Sequence, residues 1–292
     1  MKNGHKSGKQ LYKCRSCGKQ FVGGFRLDNE RLKTEYIEGK QTLSQLSAKY
    51  GVHKSTLWRR LKTMRHIRKI SRYKDVVINM DTTYWGRGFG LMVIKDAHRN
   101  KIIWYKFVHN ETIADYLEGI RWLRDNGFHI HGIVCDGMRG LFQELKHYKV
   151  QMCQFHQLMI VRRYLTQRPE MPAAIELLAL AKMLTRTDKE SFMGLLDLWS
   201  VKWADFLKER SLDSQTGKTY YTHKRLRSAY LSLQRNMPWL WTFYDYPELH
   251  IPNTNNALEG VFADIKTKLR VHSGISKERR KTLIQEYIAR IY

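Results

Sequence analysis

An almost unbroken apolar run from Val76 to Met80 ends in the ionisable Asp81. The run is short and rich in β-branched residues, and the turn-forming Gly86 and Gly88 follow it. This pattern predicts a strand that is buried on both faces. A carboxylate at the end of a buried strand is costly unless a cation or hydrogen bonds receive it. From this stretch alone, a turn-capping Asp and a ligand for a cation are equally good interpretations.

Further predicted strands and helices follow that strand in the chain. They come in the order strand, strand, helix, strand, helix and strand, over residues 89–95, 101–108, 113–126, 131–137, 139–146 and 150–155. With the first strand included, this is the order of the ribonuclease-H-like fold, an α/β fold whose first and fourth strands are neighbours. Asp81 and Asp136 stand at the ends of those two strands. We therefore expect the two carboxylates to converge at one edge of the sheet.

A third carboxylate follows a long segment of different character. Residues 157–250 are predicted to be helical and rich in Leu, Arg and Trp. Most of these tryptophans are expected in a core, and stacking on an unpaired DNA base is the alternative for one of them. A helix is then predicted over 257–270, and Glu259 lies three residues after Asn256, as in a capping box. With two strand-end aspartates upstream, we favour a third metal ligand at this position.

The predicted metal follows from the type of ligand. Clustered carboxylates suit hard cations that prefer oxygen, hence Mg²⁺ or Mn²⁺. Two such ions about 4 Å apart activate an attacking water or 3′-hydroxyl and stabilise the leaving oxygen in an in-line displacement at phosphorus. If Asp81, Asp136 and Glu259 meet, the sequence predicts phosphoryl transfer.

Positive charge dominates the first quarter of the chain. The net charge is +25, and residues 1–75 hold 20 Lys and Arg against five Asp and Glu. This balance favours a polyanionic partner such as nucleic acid. Residues 28–66 predict three short helices, with a turn at Gly51 before the third. This is the helix-turn-helix arrangement, whose recognition helix enters the major groove of DNA, and a solvated helical hairpin is the alternative.

The outward face of the third helix carries the candidate DNA-binding residues, because Leu57 and Leu61 occupy the inward face. The outward set is Lys54, Ser55, Trp58, Arg59 and Lys62. A basic linker over residues 65–74 is expected to follow phosphates. No segment reaches the roughly 18 apolar residues of a membrane span, so we expect a cytoplasmic protein with no membrane partner.

Four short motifs occur in order along the chain. They are Asp81-Thr82-Thr83, Cys135-Asp136-Gly137, Cys153-Gln154-Phe155-His156 and Asn253-Thr254-Asn255-Asn256-Ala257-Leu258-Glu259-Gly260. In these motifs the chain resembles DDE-type bacterial insertion-sequence transposases of the Mutator-like superfamily. The resemblance implies that Asp81, Asp136 and Glu259 are the catalytic triad and hold two Mg²⁺ or Mn²⁺ ions. It also implies an enzyme that binds the terminal inverted repeats of an element, cleaves a strand and transfers it to target double-stranded DNA.

Cys153 and His156 match the Cys-x-x-His signature of that family. Two ligands do not complete a zinc site, so a buried hydrogen-bonded pair near the active site is at least as good an interpretation. We also expect a homodimer that is associated with the bacterial nucleoid.

Cys14 and Cys17 form a Cys-x-x-Cys knuckle followed by glycine and an aromatic residue, as in a zinc ribbon. Structural zinc needs four ligands, so the pair supplies a partial zinc site, and two surface thiols are the alternative. Residues 2–13 resemble the hairpin between two such knuckles in the ribbons of related transposases. We therefore expect a first knuckle to precede Met1.

Five segments are predicted in the chain. They are a partial zinc ribbon (1–21), a helix-turn-helix with its basic linker (22–75), the first part of the ribonuclease-H-like core (76–156), an all-helical insertion (157–250) and the C-terminal helix of the core with Glu259 (251–292). Two other functions compete with transposition. A DNA-binding regulator or inactivated transposase needs only the helix-turn-helix, and a junction resolvase shares the fold but not the separate DNA-reading segment.

Overall fold

A computed structural model describes residues 1–23, 27–62 and 70–291 of the chain. It divides into two compact units, of which the first comprises Met1–Ile67 with Ile265–Ile291 and the second comprises Arg68–Asp264. The predicted continuation of the third helix beyond Lys62, and the linker residues up to 69, lie outside the described residues. None of the described helices is both long and apolar enough to span a bilayer.

The first unit begins with a small antiparallel sheet. Its strands are β1 (Lys2–Lys6), β2 (Lys9–Lys13) and β3 (Gln20–Val22), in that order. Three helices follow, α1 (Asn29–Ile37), α2 (Leu43–Tyr50) and α3 (Lys54–Lys62). Asp28 and Thr42 cap the first two helices, and Gly51 adopts a φ of 61° in the turn before α3. Leu57 and Leu61 are buried, as their helical spacing predicted, and so is Leu46 of α2.

The second unit is built on a mixed five-stranded sheet. Its elements are β4 (Asp75–Tyr84), β5 (Gly90–Asp96), β6 (Lys101–Val108), α4 (Ile113–Asp125), β7 (His129–Cys135), α5 (Leu141–Glu144) and β8 (Val150–Met152). The strand order is β6-β5-β4-β7-β8, so the first and fourth strands of the unit are neighbours, as predicted. β4 and β7 are parallel, whereas β4, β5 and β6 form an antiparallel meander.

Helix α4 packs closely on one face of this sheet. A Cβ added at Gly119 would lie 2.5 Å from Cδ1 of Ile94 and 3.0 Å from the Trp104 ring, so glycine allows the close approach. Tyr116 and Ile120 of the same helix belong to the continuous core that contains these sheet residues. The sheet is therefore covered on this face by the helix that the 3.6-residue period predicted.

The segment predicted to be an all-helical insertion contains strands as well. Its elements are α6 (Gln154–Leu165), α7 (Pro172–Met183), α8 (Lys189–Lys202), α9 (Ala204–Lys208), β9 (Arg210–Leu212), β10 (Thr219–Tyr221), α10 (Lys224–Leu240), α11 (Thr242–Asp245) and a 3-10 turn at Pro247–Leu249. The all-helical prediction is wrong at β9 and β10, which pair antiparallel. Asp213 accepts from the backbone N–H of Gln215, and Gly217 has a φ of 65°, so this stretch closes a hairpin turn.

The tryptophans of this segment serve the core. Trp199 and Trp241 are 3% and 1% exposed, and both belong to the core that continues from the sheet. The indole N–H of Trp199 donates to the carbonyl of Ala173 at 3.1 Å. Trp239 stacks on Phe142 with 4.6 Å between ring centroids. These contacts favour the core interpretation over base stacking.

Two further helices follow, and their residues from Ile265 onward belong to the first unit. They are α12 (Asn256–Val271) and α13 (Lys277–Ile291). The imidazole of His272 contacts the carbonyl of Tyr36 at 3.2 Å, and Arg290 pairs with Glu38 at 2.8 Å. Residues 265–291 thus belong with the N-terminal helices, whereas the sequence assigned all of 251–292 to the catalytic core. Helix α13 was not predicted as a separate element.

Candidate active site

The carboxylates of Asp81 and Asp136 meet at the edge of the sheet where the pairing of β4 with β7 ends, although β4 itself continues past Asp81 to Tyr84, so Asp81 does not end its strand as predicted. Asn79 and Val134 are paired on these parallel strands, and each aspartate follows its strand's member of that pair by two residues. Because the two paired residues lie side by side, the positions two residues after them lie at the same height in the sheet. The period of two along a strand places them on the same face as the paired residues. Ligand oxygens of Asp81, Asp136 and Glu111 all lie within 4.8 Å of one another. The two aspartates therefore converge as the strand order predicted.

Glu111, which no sequence motif identified, supplies the third carboxylate of this group. β6 runs parallel to β4 because each is antiparallel to β5, so β6 also ends at this edge of the sheet. Glu111 lies three residues after Val108, the last residue of β6. Its Oε1 accepts a hydrogen bond from Tyr116, whose hydroxyl lies 3.2 Å from that of Thr82. The signal in the sequence that could have identified Glu111 is an acidic residue shortly after a strand that runs parallel to β4.

Burial raises the pKa of all three carboxyl groups. For Asp81, burial is the largest cause and the charge of Asp136 is the next, and they bring the pKa to about 8. Burial likewise raises the pKa of Glu111, with the charge of Asp136 adding to the rise. The pKa of Asp136 itself is raised by burial and lowered by the nearby imidazole of His156. A bound cation would favour ionisation of the three groups, because an opposite charge nearby stabilises the charged form.

The donor set fits a hard divalent cation. All three side chains offer carboxylate oxygens, the ligands that such cations prefer. Oδ1 of Asp136 is buried and has no hydrogen-bond partner among the described residues. Buried acceptors are ordinarily satisfied, so this oxygen is left for a ligand such as a cation. The group formed by Asp81, Glu111 and Asp136 can therefore hold a divalent metal ion.

Glu259 lies on the first turn of α12, as predicted, and outside this group of three carboxylates. The start of α12 is tied to β4, because the side-chain amide of Asn255 donates to the carbonyl of Met80 at 3.0 Å. The carboxylate of Glu259 lies 3.7 Å from Nε2 of His156. Its charge adds, after burial and the closer carboxylates, to the raised pKa of Asp81. The role of Glu259 as a metal ligand stays a prediction.

Cys153 and His156 lie at the start of α6, beside the carboxylates. The buried sulfur of Cys153 accepts from the backbone N–H of Asn255 at 3.2 Å. A polar contact with the Cys153 side chain raises the pKa of His156, and the charges of Asp136 and Glu259 add to the rise. Nδ1 of His156 is buried without a well-formed hydrogen bond to any described residue. The described residues place no set of three or more metal ligands around this pair, so its contacts favour an electrostatic role over zinc binding.

Cys14 and Cys17 form the tight turn that their spacing predicted. The N–H of Gly18 donates to the carbonyl of Cys14 at 3.1 Å. Hydrogen bonds from the Ser16 side chain and the local backbone lower the pKa of Cys14 to about 6. Within the described residues no third His, Cys, Asp or Glu joins the two thiols in a ligand group. Zinc binding by this pair stays a prediction.

The predicted DNA-binding residues lie together on α3. Lys54, Ser55, Arg59 and Lys62 are exposed, whereas Trp58 is half-buried. Neither lysine nor Arg59 has an acidic partner among the described residues. No described acidic side chain therefore offsets the positive charge of these three residues.

No protein-family model matches the chain, and no curated protein matches it. Among solved structures, it is similar to a chain of the Drosophila P element transposase strand transfer complex, with 12% sequence identity and a TM-score of 0.47. The similarity covers 95% of this chain and 94% of that chain.

Proposed function

We propose that the chain is a DDE-type transposase, which binds the ends of a bacterial insertion sequence and catalyses metal-dependent strand cleavage and strand transfer. The observation that carries the proposal is the convergence of Asp81, Glu111 and Asp136 at one edge of the sheet. The strand order, with the first and fourth strands adjacent and parallel, supports a ribonuclease-H-like core. The four motifs that resemble the Mutator-like superfamily place two of these three residues in its catalytic triad.

Asp81 and Asp136 would hold the divalent cations, with Glu111 and Glu259 as further ligands. When bound, Mg²⁺ or Mn²⁺ would supply charge stabilisation for an in-line displacement at phosphorus. The chain fixes these carboxylates in advance, since the N–H of Thr82 donates to Oδ1 of Asp81 at 2.7 Å and Tyr116 donates to Glu111. Groups held in position by their neighbours need little reorganisation during the reaction.

His156 is the candidate for handling the charge of the DNA backbone at this site. Its raised pKa favours the imidazolium form, and it lies near both Asp136 and Glu259. A substrate phosphate that approaches several carboxylates is repelled by them. A positive charge at His156 would offset this repulsion and donate a hydrogen bond to a phosphate oxygen.

DNA recognition is assigned to α3, whose exposed face carries Lys54, Ser55, Arg59 and Lys62 around Trp58. Side chains near the start of a recognition helix reach base edges, and flanking Lys and Arg contact phosphates. Reading and cutting would then belong to different units of the chain. Cleavage should therefore be separable from binding by mutation.

The decisive experiment is a cleavage assay on a plasmid that carries the DNA flanking the gene for this chain. Asp136→Asn keeps the side-chain volume and removes the charge, so we expect it to abolish cleavage in Mg²⁺ or Mn²⁺ and to leave binding unchanged. Asp197→Asn is the matched control, because Asp197 is exposed on α8, and it should cleave like the wild type. Cleavage by Asp136→Asn within a few-fold of the wild type would overturn the proposal.

A DNA-binding regulator without catalysis, or an inactivated transposase, is the second candidate. The exposed basic face of α3 suits it equally well, and the position of Glu259 outside the three-carboxylate group favours it. The same assay separates the two functions. Specific binding of the flanking DNA by the wild type, with no cleavage in either metal, would establish the second.

A further inference from the structure

All acidic side chains of the first unit are engaged in a helix cap or in ion pairs. Asp28 caps α1, and the other five acids form ion pairs with basic residues, namely Glu30, Glu35, Glu38, Glu278 and Glu286. Lys54, Arg59 and Lys62 have no acidic partner among the described residues. The face that they share therefore has an uncompensated positive charge.

A residue from the other end of the chain lies on this face. The guanidinium of Arg279, on the first turn of α13, lies over the ring of Trp58 with 4.8 Å to the centroid. Trp58 is one of the outward residues of α3, and both residues belong to the first unit. Arg279 has no ion pair with any described acidic residue, although Glu278 precedes it.

We propose that Arg279 contacts the phosphate backbone of double-stranded DNA, so that α13 extends the recognition face of α3. The inference rests on the proposed DNA recognition by α3 and adds to it a residue more than 200 positions away in the chain. A guanidinium held over an indole ring keeps its N–H groups at its edge, where they match two phosphate oxygens. The stack with Trp58 also restricts the long side chain before DNA arrives, which reduces the entropy lost on binding.

A purely structural role for the Arg279–Trp58 stack predicts a different outcome. A cation–π contact at a partly exposed position contributes only modestly to stability. Its loss would lower stability slightly and leave the number of phosphates neutralised by the protein unchanged. The salt dependence of binding measures that number directly, because each neutralised phosphate releases counterions. The slope of binding against salt therefore separates the two roles.

The test measures binding of the full chain to a fluorescent random-sequence duplex of about three helical turns. It is run in a metal chelator, which prevents cleavage, between about 50 and 200 mM salt. We expect Arg279→Ala to weaken binding about tenfold and to lower the slope of log affinity against log salt by about one. Arg279→Lys keeps the charge and loses the planar stack, so its slope should match the wild type while its affinity falls.

Arg31→Ala is the matched control, since Arg31 is an exposed arginine of the same unit that pairs with Glu35 at 3.2 Å on α1. It removes the same net charge from another face, so its slope should equal that of the wild type. Equal slopes for Arg279→Ala and the wild type, or equal losses for Arg279→Ala and Arg31→Ala, would overturn the inference. If circular dichroism shows that Arg279→Ala is unfolded, Arg279→Gln is measured in its place, with the same expected change in slope. A wild-type chain that binds no duplex would instead overturn the proposed function.

Discussion

The side-chain amide of Asn79 donates a hydrogen bond of 2.6 Å to the side-chain oxygen of Asn255, across 176 positions of sequence. Both asparagines are buried. Asn79 belongs to the strand that carries Asp81, and Asn255 directly precedes the helix that carries Glu259. A second bond joins the amide of Asn255 to the carbonyl of Met80 on the same strand. The two bonds fix the start of the helix against the strand and thereby hold Glu259 relative to Asp81.

Replacement of Asn255 by alanine should reduce cleavage more than it reduces metal binding. The change leaves the Asn79 amide and the Met80 carbonyl buried without this partner, which costs about 1–3 kcal/mol for each group. We expect a lower midpoint of urea unfolding, a cleavage rate reduced at least about tenfold and a nearly unchanged affinity for Mn²⁺. Asn253→Ala is the control, because the side-chain amide of Asn253 donates to Gln154 of α6 at 3.1 Å and not to the strand that carries Asp81. Wild-type cleavage by a folded Asn255→Ala protein would contradict the positioning role.

Glu111→Gln should weaken metal binding. Glutamine keeps the shape and can still accept a hydrogen bond from Tyr116, but it removes one charged ligand from the group. We expect the affinity for Mn²⁺, measured by electron paramagnetic resonance of the free ion, to fall at least about tenfold. Glu118→Gln is the control, since Glu118 lies on α4 and bonds Lys106 at 2.6 Å, away from the cluster. Equal Mn²⁺ affinities for the two variants would remove Glu111 from the metal site.

Stability without metal should fall as the pH rises through the titration of Asp81. The folded-state pKa, about 8, lies above the ordinary value of 3.8, so the folded chain keeps a proton that the unfolded chain releases. The free energy of unfolding therefore decreases across that window. Asp81→Asn does not titrate, and its stability relative to the wild type should grow between about pH 5 and pH 8, by on the order of a few kcal/mol. Urea unfolding in a chelator measures this, and a difference that is constant with pH would refute it.

The first unit should lose stability at acid pH through His272. Burial lowers the pKa of this imidazole below its ordinary value of 6.5, while its contact with the Tyr36 carbonyl opposes the shift. The unfolded chain then binds a proton at a higher pH than the folded chain does, so stability decreases as the pH falls below about 6.5. His272→Gln has no such titration. The protection factors of the α1 amides, which are exchange rates corrected for the intrinsic effect of pH, should depend less on pH in this variant. An unchanged dependence of the protection factors would count against the assignment.

The two aspartates were predictable because each ends a local apolar run. The runs before Asp81 and Asp136 identify strands without reference to the rest of the chain, and the order of elements then makes those strands neighbours. Glu111 follows no such pattern. It lies in the polar stretch after β6, and its position depends on β6 running in the same direction as β4, which is a property of the assembled sheet.

Two other features depend on tertiary structure in the same way. β9 and β10 have three residues each, too few to show the alternation that identifies a strand, and the helical pattern around them dominated the prediction. Helix α13 was not among the predicted helices. This helix contacts α1, where Lys33 pairs with Glu286 of α13 at 3.4 Å. No local pattern in the sequence connects the two helices.

The first unit is built from two segments that lie far apart in the chain, and this sets the order in which the units can fold during translation. Residues 1–67 are synthesised first, but the helices that complete their unit come from residues 265–291. At roughly 5–20 residues per second, the N-terminal helices wait on the order of ten to forty seconds for those partners. The sheet that bears the carboxylates is synthesised during that interval and has all its strands by Met152. A chain whose translation stops early would therefore carry the complete sheet with an unfinished first unit.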